Sequence, residues 1–364
     1  MPNLSDDVYR FIWDGRVAAN SISPFSYLPA EIMQMPAIPG ITERLFIQLN
    51  SPNYYSIYPP VLQGIFLLAG KIIPTNVVAA IVFLKSIIVI VELGTVFILT
   101  QLLKKLSLPK YLSLLYFLNP LVITELTGNA HFDGVMIFFV LLSFLFILKN
   151  NWQPSAICLA LGIATKLVPI LFLPVLAHRL GWKKGLLFSV ATGITTLILF
   201  AFVFDVATIQ HLLKSADLFI RRFEFNASVY YIIRWIGTTI KGYNIIANAG
   251  PLLLLSATII ILFLSFRNKN IQDRRLFSSA LLIIFTWYLF STTVHPWYIC
   301  LPVALSVFTP YRYAILWSYT AVLSYAAYQF HPVRENLWLV STGYIFMISY
   351  AWWELRKIPF SKEN

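Results

Sequence analysis

Charge is what this chain has least of. Only 12% of its 364 residues are Asp, Glu, Lys or Arg, about half the share found in a soluble domain, which excludes an ordinary water-solvated enzyme. Cysteine is almost missing. Cys158 and Cys300 are the only two, and both sit in apolar runs, which argues against a disulfide framework or cysteine zinc site and leaves packing as their role. No glycine-rich phosphate loop, zinc-ligand spacing or G-x-S-x-G elbow occurs, so nucleotide-cradling, zinc-hydrolase and serine-hydrolase chemistries have no motif to rest on. Residues 1–75 also lack a spanning-length apolar run. Pro24, Pro29, Pro36, Pro39, Pro52, Pro59, Pro60 and Pro74 punctuate them instead, leaving room for two short amphipathic helices, near 5–19 and 59–73, joined by an irregular loop.

What the chain has in quantity is apolar sequence, 59% hydrophobic and 16% aromatic. Runs of spanning length recur from residue 76 to 355, and the fold class expected is an all-α polytopic membrane protein. Eleven candidate membrane helices are predicted, at about 77–103, 110–126, 132–149, 152–164, 166–180, 183–204, 244–266, 274–293, 296–309, 311–330 and 335–355. The organisation read from this is an external loop 1–75 with two outer-surface helices and the acidic motif, membrane helices 76–204, an external loop 205–243, and C-terminal membrane helices with a short cytosolic tail, 244–364.

Charge placement orients the helices. With the loops 104–110, 149–151, 179–184, 267–275 and 310–312 and the tail from 354 in the cytosol, that face holds 15 of the 27 basic residues and 3 of the 15 acidic ones. The whole formal net charge of +12 then lies on one face, as the positive-inside rule expects. Nucleic acid is not needed to explain it. Two consequences follow: the 59–73 helix lies along the outer surface, and the amino terminus is outside, which calls for either a spanning helix ahead of Met1 in the native gene or direct translocation of a short tail.

Two interruptions of the apolar pattern are informative. A break at Thr165-Lys166 keeps Lys149 and Lys183 on one side, but each arm is then only about fourteen residues, roughly 21 Å, short of a hydrocarbon core of about 30 Å. His295-Pro296 repeats the pattern. Irregular backbone at membrane depth is tolerated only where protein buries it or a wet cavity borders it, so both breaks predict an outward-open cavity holding Lys166 and His295.

Candidate chemistry clusters at a few places. Ser5-Asp6-Asp7 opens a leader that continues Val8-Tyr9-Arg10-Phe11-Ile12-Trp13-Asp14-Gly15-Arg16. One carboxylate suits a general base, with its neighbour placing a donor or a metal ion; the plainer reading is a helix cap. Lys166, costly in an apolar setting, suits an anionic phosphate, or it snorkels to the surface. Asn119-Pro120, Glu125, Asn129, His131 and Asp133 crowd one outer turn, where they read acceptor hydroxyls or make ordinary turn contacts. Arg221-Arg222 with alternating aromatics suits phosphate gripping or a surface helix. In His295-Pro296-Trp297-Tyr298 the aromatics are also plain interface anchors. Lys85 and Glu92 share one helix face and read as neutralising each other or a neighbouring helix.

In this order, Asp6-Asp7-Val8-Tyr9-Arg10-Phe11-Ile12-Trp13-Asp14-Gly15, Tyr58-Pro59-Pro60, Leu118-Asn119-Pro120-Leu121, Gly162-Ile163-Ala164-Thr165-Lys166 with Pro169 and Pro174, and His295-Pro296-Trp297-Tyr298 resemble the C-type (GT-C) superfamily of membrane glycosyltransferases. Bacterial mannosyltransferase-like members that use a polyprenyl-phosphate sugar are the nearest in look. The resemblance implies a catalytic acid in the first external loop, mapping onto Asp6 or Asp7, and inverting displacement at the sugar C1. It places the departing polyprenyl phosphate near basic residues, here Lys166, Arg221 and Arg222 with Tyr58. Asp14, Glu125, His131, Asp133, His295 and Trp297 are the acceptor and sugar-binding candidates. That family carries a membrane helix ahead of the loop, which this sequence lacks.

The expectation is therefore a cell (inner) membrane enzyme that moves a hexose, mannose first among candidates, from a polyprenyl-phosphate-sugar donor to a glycan or lipid acceptor on the non-cytosolic face. Membrane lipids are its other partners. No organic cofactor is expected, and a divalent metal ion, magnesium or manganese, is left open. The runner-up is a lipid-linked sugar flippase or small-molecule transporter, which would bring an internal repeat; no convincing repeat is visible. A non-enzymatic scaffold leaves both breaks unexplained.

Overall fold

The computed structural model describes residues 2, 4–201, 206–267, 271–330 and 333–358. Lys269, Lys362 and Glu363 of the charge pattern, and the 204/205 segment boundary, lie outside the described residues. Among the described residues every regular element is helical, and Phe225 and Thr293 form an isolated parallel bridge.

Among the described residues three helices are long and apolar enough to cross a membrane: Val77–Lys105, Trp182–Ala201 and Ile246–Phe266. A fourth span arises if Pro120–Gly128 and Asp133–Leu148, bent by 115°, count as one. The eleven expected spans are not recovered, because polar and proline residues cut the apolar sequence into shorter pieces. The 110–126 run becomes Lys110–Ser113, Leu114–Phe117, Pro120–Val122 and the π-helix Ile123–Gly128. The predicted breaks do occur. Trp152–Ile163 stops before Lys166 and the chain resumes at Val168–Phe172, while Asp273–Phe290 stops before His295 and resumes at Pro296–Ile299.

Local chemistry explains the long helices. Asn76 caps Val77–Lys105 by accepting the Ala79 N–H at 3.0 Å, and Lys104 and Lys105 occupy its last turn, where cations suit the helix dipole. Trp182–Ala201 turns Leu186, Leu187, Val190, Ile194, Leu197 and Ile198 outward. A helix with its large apolar side chains on the outside suits a hydrocarbon solvent. The protein is a membrane protein.

The amino-terminal segment departs from expectation in one respect. Its two main helices, Asp7–Ala19 and Pro60–Ile72, fall where predicted, but the leader helix does not lie on the surface. Val8, Arg10, Phe11, Ile12, Trp13, Asp14, Gly15, Arg16 and Val17 are all buried. Two glycines allow it. A Cβ on Gly15 would sit 2.0 Å from the Phe66 carbonyl oxygen, and one on Gly70 2.2 Å from that of Gly15, so the backbones touch and any side chain would part them. Phe11 stacks on Phe66 at 4.7 Å, and Phe132 meets both edge-on at 5.5 Å. This ring cluster fastens the leader to the turn that carries His131 and Asp133.

Burying Arg10 and Asp14 needs internal partners. Arg10 Nε donates to Asp14 Oδ1 at 2.7 Å, and its Nη1 donates to the Ser51 and Tyr54 carbonyls at 3.0 and 2.9 Å. Ser56 Oγ and Gln63 Nε2 donate to Asp14 Oδ2 at 2.5 and 3.1 Å. The pair thereby ties the proline-rich loop to the leader.

Candidate active site

The start of the leader turns its two carboxylates in different directions. Ser5 Oγ accepts the Asp7 N–H at 3.3 Å and the Asp6 carbonyl accepts the Tyr9 N–H at 3.1 Å. Asp6, at the N-cap position, makes no side-chain cap bond and is exposed. Asp7 points inward: Oδ1 accepts from Asn50 Nδ2 at 2.8 Å, and Oδ2 lies 3.8 Å from His131 Nε2.

His131 belongs to an unusual turn. Asn119 accepts the Leu121 and Val122 N–H groups at 3.0 and 3.4 Å and donates to Ser318 Oγ at 2.9 Å, which starts the helix that widens into the π-helix Ile123–Gly128. Such wide turns recur at functional sites, and this one carries Glu125, which is 0% exposed. Ala130, also fully buried, has φ 62°. Only a few per cent of non-glycine residues adopt that left-handed conformation, and here it aims the next side chain, His131, back at Glu125. His131 Nδ1 lies 3.2 Å from Glu125 Oε2 and 3.1 Å from the Glu125 carbonyl oxygen. Asn129 Nδ2 donates to the same Oε2 at 3.2 Å, while its Oδ1 accepts the Leu4 N–H at 3.4 Å. Lys85 Nζ closes the turn on the Gly128 carbonyl at 2.6 Å. Glu92 instead accepts from the Tyr116 hydroxyl at 3.1 Å, so Lys85 and Glu92 each engage a neighbouring element.

The two helix breaks meet this turn. Lys166 Nζ donates to Asp133 Oδ1 at 2.7 Å and sits 4.0 Å above the Tyr298 ring. The Val61 N–H donates to the Ala164 carbonyl at 2.9 Å, tying Tyr58-Pro59-Pro60 to the first break. At the second, the Trp297 ring is sandwiched by His131 at 3.8 Å and His295 at 4.3 Å. Phe225 extends the column at 5.0 Å from His295, and Tyr328 follows at 5.6 Å. Phe225 is held by backbone. Its N–H donates to Thr292 and its carbonyl accepts from Val294, at 3.1 and 2.9 Å. Asn226, at φ 47°, donates its N–H to Glu335 at 2.6 Å.

Asp7, Glu125, His131, Asp133, Lys166, His295 and Trp297, predicted from separate motifs, thus form one connected group. Others fall elsewhere. Asp14 is enclosed within the leader and loop, Arg221 pairs with Asp217 and the Ala247 carbonyl at 2.7 and 2.9 Å, and Arg222 is exposed. Tyr58 stands between, packed edge-on against Phe11 at 5.0 Å. Burial, reinforced by the Asp7 charge, pushes its hydroxyl pKa well up, so it stays a neutral hydrogen-bond donor. Asn50 and Tyr298 escape sequence reasoning. A lone asparagine in a proline-rich loop carries no signal, and Tyr298 passes for an interface anchor.

Lys166, His295 and Tyr298 each keep partial exposure. A hollow of about 250 Å³ lies beside the group, lined by Leu4, Pro120, Leu121, Thr124, Glu125, Ser318, Tyr319, Val322 and Tyr325. It borders Glu125 rather than Lys166 and His295, where the cavity was expected. Among the described residues no three His, Cys, Asp or Glu side chains gather as metal ligands. Asp7 faces the Asn50 amide and the His131 imidazole.

Residues 1–181 match the family model described as alpha-(1->6)-mannopyranosyltransferase, N-terminal domain. A comparison with curated proteins found no match.

Proposed function

Residues 1–181 belong to the alpha-(1->6)-mannopyranosyltransferase family, of the GT-C type, and from that membership we propose that this glycosyltransferase moves mannose from a polyprenyl-phosphate donor to a glycan or lipid acceptor on the non-cytosolic face, forming an α-1,6 linkage by inverting displacement at C1. One observation supports the reading most: a partly exposed carboxylate, Asp7, stands against His131, while a lysine, Lys166, stands at a helix break joined to the same turn through Asp133.

The roles follow from charge. Sugar transfer needs a base for the acceptor proton and a cation for the phosphate that leaves with the C1–O electron pair. Asp7 is the base, held by Asn50. Lys166 is the cation, set at the break so that its ammonium faces the site. Trp297 is taken up by stacking on His131 and His295, and the partly exposed His295 is the ring left to meet a sugar. No step is assigned to a metal.

Membranes carrying the protein, given radiolabelled polyprenyl-phosphate mannose, glucose and arabinose in parallel, test the reading. Label should move from the mannose donor into acceptor. Transfer from glucose or arabinose alone overturns the sugar, and transfer from none overturns the donor class. Labelling of a cysteine placed beside Asp7 in intact cells tests the face, and protection from an impermeant reagent would overturn the external site.

A further inference from the structure

We propose that His131 is the proton acceptor for Asp7 during transfer and that buried Glu125 is its positioning residue. This rests on the assignment of Asp7 as base and gives Glu125 and His131 a task beyond contacting acceptor.

The geometry leaves little choice of tautomer. Nδ1 of His131 faces two oxygens of Glu125, the carboxylate at 3.2 Å and the carbonyl at 3.1 Å. The carbonyl oxygen cannot donate, so of the two neutral tautomers the one with its proton on Nδ1 fits this contact. Nε2 then carries a lone pair, lies 3.8 Å from Asp7 Oδ2, and is itself buried without a hydrogen bond. In that tautomer the two atoms face one another as acceptors, too far apart for a hydrogen bond, and the proton taken from the acceptor hydroxyl is what joins them.

The step balances. The acceptor oxygen bonds to C1, the C1–O bond to phosphate breaks with its electron pair leaving on the phosphate, and the hydroxyl proton passes to Asp7 Oδ2 and on to His131 Nε2. The imidazolium so formed lies against the Glu125 carboxylate. After products leave, the proton returns through Asp7, whose side chain is 24% exposed, to water. Holding the proton on His131 keeps Asp7 from giving it back to the new glycosidic oxygen.

The surroundings permit a transient cation. Asp7 faces His131 from the leader and Glu125 from its own turn. Trp297 covers one ring face, and a π-face favours a cation. His295, beyond Trp297, and Lys166 are the basic groups nearby.

Kinetics of the full-length protein in membranes test this, with radiolabelled polyprenyl-phosphate mannose as donor and an α-1,6-linked mannobiose as acceptor probe. His131→Phe keeps the stack on Trp297 and removes the relay. Its kcat should fall about 10²-fold, within the range of acid–base groups, with donor KM unchanged and the acid limb of kcat moved to lower pH. Glu125→Gln should lower kcat at least tenfold, about one order, because its amide can turn the tautomer, and Glu125→Asp should restore part of it. If either His131→Phe or Glu125→Gln keeps kcat within about twofold and an unchanged acid limb while Asp7→Asn is inactive, the relay is wrong and the base assignment stands. A fully active Asp7→Asn removes the base assignment and the relay together.

Discussion

Nζ of Lys166 lies 2.7 Å from Oδ1 of Asp133, joining the break between two apolar helices to the first residue of Asp133–Leu148. Lysine therefore has an anion already, and a departing phosphate must compete with or share it. Lys166→Ala should raise the donor KM and lower kcat. It also leaves Asp133, 7% exposed, without its partner. Breaking a fully buried pair costs about 3–5 kcal/mol; the loss here should be smaller, since Lys166 is 27% exposed. Adding Asp133→Asn should recover the thermal midpoint but not donor use. Recovery of both would make the pair purely structural.

Asp7 and Asp6 differ in orientation, and their variants should differ in effect. Asp7→Asn should lower kcat by about 10²–10⁴-fold with the protein still inserted. Asp6→Asn, altering an exposed side chain, should change transfer by less than about twofold. Steady-state kinetics on both single variants decide it, and the reverse ranking would move the base to Asp6.

Two glycines on one helix pair, and a third beside them, make an internally controlled stability test. Gly15→Ala drives a methyl to 2.0 Å from a backbone oxygen, which no rotamer relieves. Overpacking of about 1–3 kcal/mol should exceed the helix-propensity gain of about 1 kcal/mol. Gly64→Ala meets nothing within 4 Å and should stabilise by up to that gain. Thermal melts in detergent give both signs. Transfer should fall with Gly15→Ala, because Asp7 rides on the displaced helix.

Asp14 separates a clamp from a sugar ligand. Asp14→Asn leaves the buried Arg10 guanidinium without its counter-charge, so the melt should drop by about 3–5 kcal/mol. An unchanged melt with a raised acceptor KM would instead make Asp14 a binding residue.

Tyr58 bears on the alkaline limb of the pH profile. With its hydroxyl pKa raised by burial and by Asp7, the neutral form persists as pH rises, so Tyr58 contributes no ionisation there. Tyr58→Phe should leave the limb where it is. A shift of that limb would show that the phenol titrates during turnover.

Much of the site was legible in linear order. Proline and the polar pairs at Thr165-Lys166 and His295-Pro296 cannot continue an apolar helix, so both breaks could be read directly. Asp7, His131 and Lys166 stood out because an ionisable group amid apolar sequence is costly without a task. The span count was not legible in the same way. Composition registers how apolar a run is, but Asn119 and Pro120 divert the 110–126 run into short turns, and the Asn119 amide that caps them also donates to Ser318, far along the chain. The leader misled for a related reason: alternating polar and apolar residues look amphipathic, yet Arg10 and Asp14 satisfy one another inside.

Sequence alone determined the class of molecule, since scarcity of charge and abundance of apolar runs leave only a lipid-embedded helical chain. It also determined which side chains were out of place. Only the tertiary structure decided which of them meet. Lys166 reached Asp133, Asp7 reached His131, and Asp14 and Arg221 were diverted to other partners. The cause is that contacts between distant segments depend on backbone approach, set here by Gly15 against Phe66, Gly70 against Gly15, and the left-handed turn at Ala130. Those distances are properties of the packed chain and have no counterpart in residue spacing.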